Sequence, residues 1–283
     1  MRGCNDKGFV SSGVPQGSVL GPLLFNMFVN DLPTVASGLC SIVQYADDTQ
    51  VMVSGSPRDV SVITTRLQVI LRRLGDWFSR NRLALNVSKS QVILFGSKAT
   101  LRRVELKSVN VFETTVPIKS SILSLGVTID SCLTWREHIC VVIGKCTGML
   151  IRLSLLRHIM PLRTIVLLIN SLVLPHLQFR IAVWGNCNLT QCKRVNKIVK
   201  FARRIAGREG NRLAWHGDVG SEHNIAALKI VRQCLLSPES MSPLLTALFK
   251  ERQSSRETRQ LENLDLCIPR TEVKKSTTLV QWI

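Results

Sequence analysis

The sequence predicts a mixed fold in which antiparallel strands come first and helices follow, the α+β class. Three observations predict it. Two β-rich runs, Ser41–Tyr45 and Thr49–Val53, flank a pair of acidic residues. Apolar residues recur at helical spacing over residues 60–80. From about residue 137 onward the pattern is helical and strongly basic.

Each element has its own signal. Ser11-Ser12-Gly13-Val14-Pro15-Gln16-Gly17-Ser18 reads as a loop, because Gly and Pro at this density mark a turn. Val19, Leu20, Leu23, Leu24, Met27 and Phe28 then form an apolar helix, with Ser18 as N-cap and Pro22 in the first turn. Residues 41–53 predict a hairpin with Asp47 and Asp48 at or near its tip. The helix over 60–80 carries Ile63, Leu67, Ile70, Leu71, Leu74 and Phe78 on one face. A short strand, Gln91 to Phe95, follows, and Ile122 to Ile129 with the Asp130–Trp135 turn suggests another strand and bend. Thr164 to Leu174 is the most apolar stretch. Asn170 and Ser171 interrupt it, so it reads as a buried core helix rather than a membrane span. The clearest late helix runs from Gln191 to Ala206, with an apolar stripe (Val195, Ile198, Val199, Ala202, Ile205) and a basic one (Lys193, Lys197, Lys200, Arg204). Residues 250–283 are polar, mixed in charge and read as a loose tail.

Composition narrows the function. The chain has 283 residues, 45% of them hydrophobic, which excludes wholesale disorder. Lys and Arg number 37 against 19 Asp and Glu, a net charge of +18. The stretch 136–212 alone holds 14 basic residues against Glu137 and Glu209, net +12. Such an imbalance points to a polyanionic partner. No apolar signal segment opens the chain, and the nine cysteines are irregularly spaced with no C-x-x-C. They read as reduced thiols in an intracellular protein, nuclear or cytoplasmic and not secreted. Cys187 and Cys192, with His176 upstream, resemble part of a zinc site, but no second cysteine pair at ligand spacing follows.

Asp47-Asp48 carries the chemistry. Hairpin tips favour Asn-Gly or Asp-Gly, so two carboxylates here gain nothing from turn chemistry. Close together they repel, and a hard divalent ion such as Mg²⁺ removes that penalty. The chemical reading is a Mg²⁺ site for phosphoryl transfer; a solvated surface turn accommodates the same pair. The Gly-Pro loop is open to two readings as well, a ligand cradle ahead of a helix N-terminus or a plain turn.

Together these pieces resemble a known family. Gly13-Val14-Pro15-Gln16-Gly17-Ser18 looks like the Pro-Gln-Gly block of reverse transcriptases, and Tyr45-Ala46-Asp47-Asp48 looks like their Tyr-x-Asp-Asp box. Leu85-Asn86-Val87-Ser88-Lys89-Ser90 resembles the following lysine motif. Leu125-Gly126-Val127-Thr128-Ile129-Asp130 with Leu133-Thr134-Trp135 and His138 resembles the block that grips the primer. Leu174-Pro175-His176-Leu177 with Trp184-Gly185 resembles the thumb side of non-LTR, jockey-like retrotransposon polymerases. The resemblance covers roughly residues 8–210, in the family's motif order.

That resemblance implies a right-hand polymerase. A partial palm of antiparallel sheet and helices would span 1–135, a helical thumb 136–210 and a C-terminal extension 211–283. Asp47 and Asp48 would be catalytic metal ligands for Mg²⁺, with Mn²⁺ as an alternative, and Lys89 would donate a proton to pyrophosphate. Pro15, Gln16, Gly17 and Tyr45 would contact template and incoming nucleotide, and Leu125 and Gly126 would hold the primer. Lys193, Lys197, Lys200 and Arg204 would follow the phosphate backbone. The partners implied are an RNA template, a DNA primer and deoxynucleotide triphosphates, with no membrane.

The chain also departs from the family. Its chemistry uses a further aspartate on a strand upstream of the Pro-Gln-Gly loop, and here Asp6 is the one acid before Pro15. Impaired activity is therefore expected of this chain alone, and the alternative reading is a catalytically dead nucleic-acid-binding remnant. The missing strand would neighbour the Asp hairpin, so an exposed apolar sheet edge is expected. Phe179-Arg180 stands where relatives have Tyr-Gly.

Overall fold

The computed structural model describes residues 13, 17–36, 38–112, 114–241, 243–246, 249–251, 264–266 and 277–282. In chain order the helices are α1 (Gly21–Phe28), α2 (Val60–Arg80), α3 (Lys98–Leu101), α4 (Arg136–Leu156), α5 (Leu162–Leu168), α6 (Leu174–Gln178), α7 (Ile181–Trp184), α8 (Leu189–Ala206), α9 (Val219–Leu236) and α10 (Pro243–Thr246). The strands are β1 (Ser41–Tyr45), β2 (Asp48–Gly55), β3 (Gln91–Phe95), β4 (Ser108–Val111), β5 (Thr114–Lys119), β6 (Ser121–Ser124), β7 (Val127–Asp130), β8 (Phe249–Glu251), β9 (Leu264–Leu266) and β10 (Thr277–Trp282). The fold is mixed, as expected. It divides into two compact units, residues 1–120 with 274–283, and residues 121–273.

The first unit is a six-stranded sheet in the order β1-β2-β10-β3-β5-β4, antiparallel except for the β3–β5 pair. Alternation along β2 buries Thr49, Val51 and Val53 and turns Asp48, Gln50 and Met52 to the other face. Val51 and Val53 pack with Val92 and Leu94 of β3 against α2. The predicted stripe on α2 is buried through Leu74. Its last position differs: Trp77 is the buried residue and Phe78 is half-buried. The Trp77 indole donates from Nε1 to Asp31 Oδ2 at 3.2 Å, and its ring stacks edge-on with Phe78. Burying the indole required a partner for its N–H, and Asp31 supplies one.

The apolar residues before and along α1 stay largely uncovered, with Val19 95% and Met27 68% exposed. Ser18 Oγ accepts the Gly21 N–H at 3.0 Å, and Pro22 stands in the first turn as predicted.

Two expectations about this unit are corrected. Residues 250–283 are not simply a loose tail, because Thr277–Trp282 forms β10 of this sheet, while β8 and β9 belong to the other unit. Nor is the free side of β2 an open edge. β10 pairs with β2 from Thr277↔Gly55 to Trp282↔Gln50, and with β3 from Thr278↔Phe95 to Trp282↔Gln91. A strand with unpaired N–H and C=O groups takes whatever extended segment reaches it, and here the same chain supplies it.

The second unit is mainly helical. Its core gathers Cys146 and Leu150 of α4, Ile165 of α5, Leu174 and Leu177 of α6, Trp184 of α7 and Val195, Ala202 and Ile205 of α8. Thr164–Leu174 is core helix as expected, with a π-helical segment, Ile169–Val173, joining α5 to α6. The expected strand from Ile122 to Ile129 is two strands, β6 and β7, turned at Leu125-Gly126. A scan for long apolar runs in the sequence passes over α4. Among the described residues it is the one helix long and apolar enough to cross a membrane by length and composition. Its stripe of His138, Ile139, Val142, Cys146, Leu150 and Leu153 is buried in this core.

Candidate active site

The Asp pair is built by a two-residue turn. β1 and β2 pair from Ser41↔Met52 to Tyr45↔Asp48, which leaves Ala46 and Asp47 as the loop. Ala46 takes the left-handed conformation, φ +52°, that so tight a hairpin requires. Asp47 therefore sits in the turn and Asp48 opens β2 opposite Tyr45. All three side chains are exposed, Tyr45 by 60%. Asp48 and Tyr45 share the sheet face away from α2, because Thr49, Val51 and Val53 occupy the other.

Lys89 lies in the 3-10 turn Val87–Lys89 just before β3, and it is exposed. β2 and β3 both run antiparallel to β10 and so run parallel to each other. Lys89 and Asp48 thus stand at the same end of the sheet. Gly17 has φ +82°, which favours glycine, and is exposed. Pro15 and Gln16 lie outside the described residues.

In the second unit the β6–β7 turn is formed by Leu125 (φ +45°) and Gly126 (φ +83°). A Cβ on Gly126 would come within 3.0 Å of the Phe179 ring, so only glycine lets the turn lie on that ring. The Asp130 carboxylate orders the following loop by accepting the N–H groups of Cys132, Thr134 and Trp135 at 3.1, 3.0 and 2.8 Å. His138 Nδ1 accepts the Thr128 N–H at 3.3 Å, and its ring packs 5.8 Å from that of Trp184. Burial lowers the His138 pKa below its usual value, and nearby Lys145 adds to the effect.

The basic face belongs to α8. Asn188 caps this helix by accepting the Gln191 N–H at 3.0 Å. Lys193, Lys197, Lys200 and Arg204 are all exposed. The first three line a cleft of about 400 Å³ together with Asn196, Arg203 and Asp218. Arg203 lies on α8, three residues after Lys200, whereas Asp218 carries no signal in the periodicity of the helix, because the loop before α9 supplies the opposite wall. Asn196 Oδ1 accepts the Val219 N–H at 3.2 Å and holds that loop in place. Asp218 caps α9, and the hydrogen bonds it accepts from Ser221 hold its carboxyl below the usual range. Arg204 is not among the residues lining the cleft.

The donor set at the hairpin suits a hard cation, which takes one or two carboxylates and completes its shell with water and phosphate oxygens. Among the described residues no cluster of three His, Cys, Asp or Glu side chains forms anywhere, so Asp47 and Asp48 have no third protein ligand. The same holds for Cys187 and Cys192, and no zinc site forms there.

The reverse transcriptase (RNA-dependent DNA polymerase) family matches residues 1–129, the part of the chain that carries the hairpin and its sheet. Over these residues the chain is similar to the reverse transcriptases. The relatives that the chain resembles are polymerases of non-LTR retrotransposons. The probable RNA-directed DNA polymerase from transposon X-element of Drosophila melanogaster is 30% identical, over 71% of this chain and 22% of its own length. The RNA-directed DNA polymerase from mobile element jockey of Drosophila funebris is 28% identical, over 70% and 22%. The jockey polymerase of Drosophila melanogaster is 27% identical over the same shares. The chain therefore spans about a fifth of the length of these relatives. No solved structure matches it.

Proposed function

We propose that this chain is palm and thumb of a right-hand polymerase that copies RNA into DNA. The observation that carries the reading is the two-residue hairpin with both carboxylates exposed at the end of a packed sheet. Asp47 and Asp48 would hold Mg²⁺, or Mn²⁺ in its place. The ion would supply Lewis-acid stabilisation of the attacking 3′-oxygen and the leaving phosphate oxygens. Lys89, at the same sheet end, would donate a proton to the departing pyrophosphate. Tyr45 would lie beside the primer end, and Pro15, Gln16 and Gly17 against the template and the nascent pair. The Leu125–Gly126 turn would hold the primer strand. Lys193, Lys197, Lys200 and Arg204 would neutralise backbone phosphates without reading sequence.

A two-carboxylate site holds metal more weakly than one with a bridging third ligand, so extension by this chain alone would be slow. A second reading, a remnant that binds nucleic acid without extending it, is favoured by one observation. Among the described residues the α8 cleft gathers four basic side chains, Lys193, Lys197, Lys200 and Arg203, whereas the hairpin gathers two carboxylates. Primer extension on an RNA template, with Mg²⁺ and the purified chain, separates the two. Incorporation that disappears in Asp47→Ala supports the polymerase. Salt-sensitive duplex binding with no incorporation supports the remnant, and neither binding nor incorporation sinks both.

A further inference from the structure

Cys187 lies in the short link between α7 and α8, and Cys192 lies in the first turn of α8. Their Sγ atoms are 3.5 Å apart, and Cys192 Sγ is also 3.4 Å from the Cys187 carbonyl oxygen. The backbone between them is already closed. Cys192 N–H donates to the Asn188 carbonyl at 3.0 Å, and Asn188 caps the helix. A disulfide brings its sulfurs to about 2.05 Å, so a small side-chain rotation closes the gap and the backbone need not move. Both residues are half-buried against the helical core.

Three of the other described thiols have partners elsewhere. Cys146 is buried and donates to the Val173 carbonyl, Cys40 donates to the Ala36 carbonyl, and Cys140 meets the Arg194 guanidinium.

We propose that Cys187 and Cys192 are a reversible dithiol–disulfide site, oxidised by a low-molecular-weight disulfide, at the N-terminal end of the basic helix. Burial and the hydrogen bond with Cys192 raise the Cys187 thiol pKa, and Cys192, in the first turn of α8, is the sulfur that attacks first in the proposed sequence. Its thiolate displaces one thiolate from the oxidant and forms a mixed disulfide. Cys187 then gives up its proton and attacks Cys192 Sγ, releasing the second oxidant sulfur. Two protein thiols are oxidised to one disulfide, and one oxidant disulfide is reduced to two thiols that take the two protons.

The test uses the full chain, reduced and then titrated with oxidised glutathione, followed by tryptic mass spectrometry without reductant. The peptide 181–193 contains both cysteines and no other. The expected result is loss of two hydrogens from that peptide, reversed by dithiothreitol. Cys187→Ser is expected to stop at a glutathione adduct on Cys192. Adducts on both cysteines without an internal link, an unmodified peptide 181–193, or a link from Cys187 to another cysteine would each overturn the proposal.

Discussion

Gln50 and Gln91 stand level across one residue, Trp282, which pairs with both. Two strand spacings separate them, roughly 10 Å. Asp48 lies two residues before Gln50, and Lys89 two residues before Gln91. The carboxylate pair and the lysine are therefore set at one end of the sheet by a strand that contains neither. β2 and β3 have no hydrogen-bonded link except β10.

Val280 pairs with Met52 on one side and Ile93 on the other. Val280→Pro removes a donor from a strand bonded on both flanks, which a sheet interior does not tolerate. Hydrogen exchange is expected to rise by about tenfold or more at the β2 and β3 amides, with α2 less affected. Unchanged protection in β2 would mean that β10 does not hold the sheet together.

Nucleic-acid affinity is expected to follow the cleft rather than the linear stripe. Lys197→Ala, Lys200→Ala and Arg203→Ala should each weaken duplex binding at all sequences. Each should reduce the slope of log affinity against log salt by about 0.9. Arg204→Ala should do less, because Arg204 does not line the cleft. Fluorescence anisotropy across a salt series reads both effects, and equal loss from Arg203 and Arg204 would refute the cleft.

His138 makes stability of the helical unit depend on pH. The folded state lowers its pKa below 6.5, chiefly by burial. Above pH 6.5 both folded and unfolded forms are neutral and the stability is fully present. As pH falls below 6.5 the unfolded chain takes up the proton first, and stability declines until pH passes the folded value. The added proton would go to Nδ1, which accepts the Thr128 N–H in the neutral ring, so charging His138 breaks that hydrogen bond. Urea midpoints at pH 7.5 and 5.5 should differ more in the wild type than in His138→Gln; equal differences would exclude this ring as the cause.

Two substitutions on either side of one contact should move stability in opposite directions. Gly126→Ala adds a methyl 3.0 Å from the Phe179 ring at φ +83° and is expected to cost about 1–3 kcal/mol. Arg180 holds φ +51°, the region where glycine carries no Cβ penalty. Arg180→Gly is expected to stabilise by about 0.5 kcal/mol, less than the full relief. Glycine is freer when unfolded, and the guanidinium 5.4 Å over Phe179 is lost. Thermal unfolding measures both, and a destabilised Arg180→Gly would show that the stacking outweighs the strain.

Local periodicity made much of this fold legible. The hairpin, α2 and α8 each bury a stripe that alternation or helical spacing exposes in the sequence, and β3 is a short apolar run buried at Val92, Ile93 and Leu94. Gln91–Phe95 is observed with those limits. Trp77 was harder to place, because its burial depends on Asp31, forty-six positions away. β6 and β7 merge in the sequence because Leu125, an ordinary strand residue, takes a positive φ. The far wall of the cleft comes from another segment and leaves no mark on α8. β10 is short, and a six-residue strand whose partners lie far away in sequence is indistinguishable from tail until the sheet is seen. At the candidate site, the Asp pair is legible because two carboxylates violate turn preference. The level placement of Lys89 is not, since it depends on β10.

The insertion of β10 also sets an order of events during synthesis. Gly55 meets its partner Thr277 only after more than two hundred further residues have been made. At ribosomal speeds of roughly 5–20 residues per second, β2 waits on the order of ten to forty-five seconds for the strand beside it. Through that interval the nascent hairpin presents an unsatisfied backbone ladder to solvent. The aggregation hazard that β10 removes from this side of β2 is therefore met while the polypeptide is still tethered.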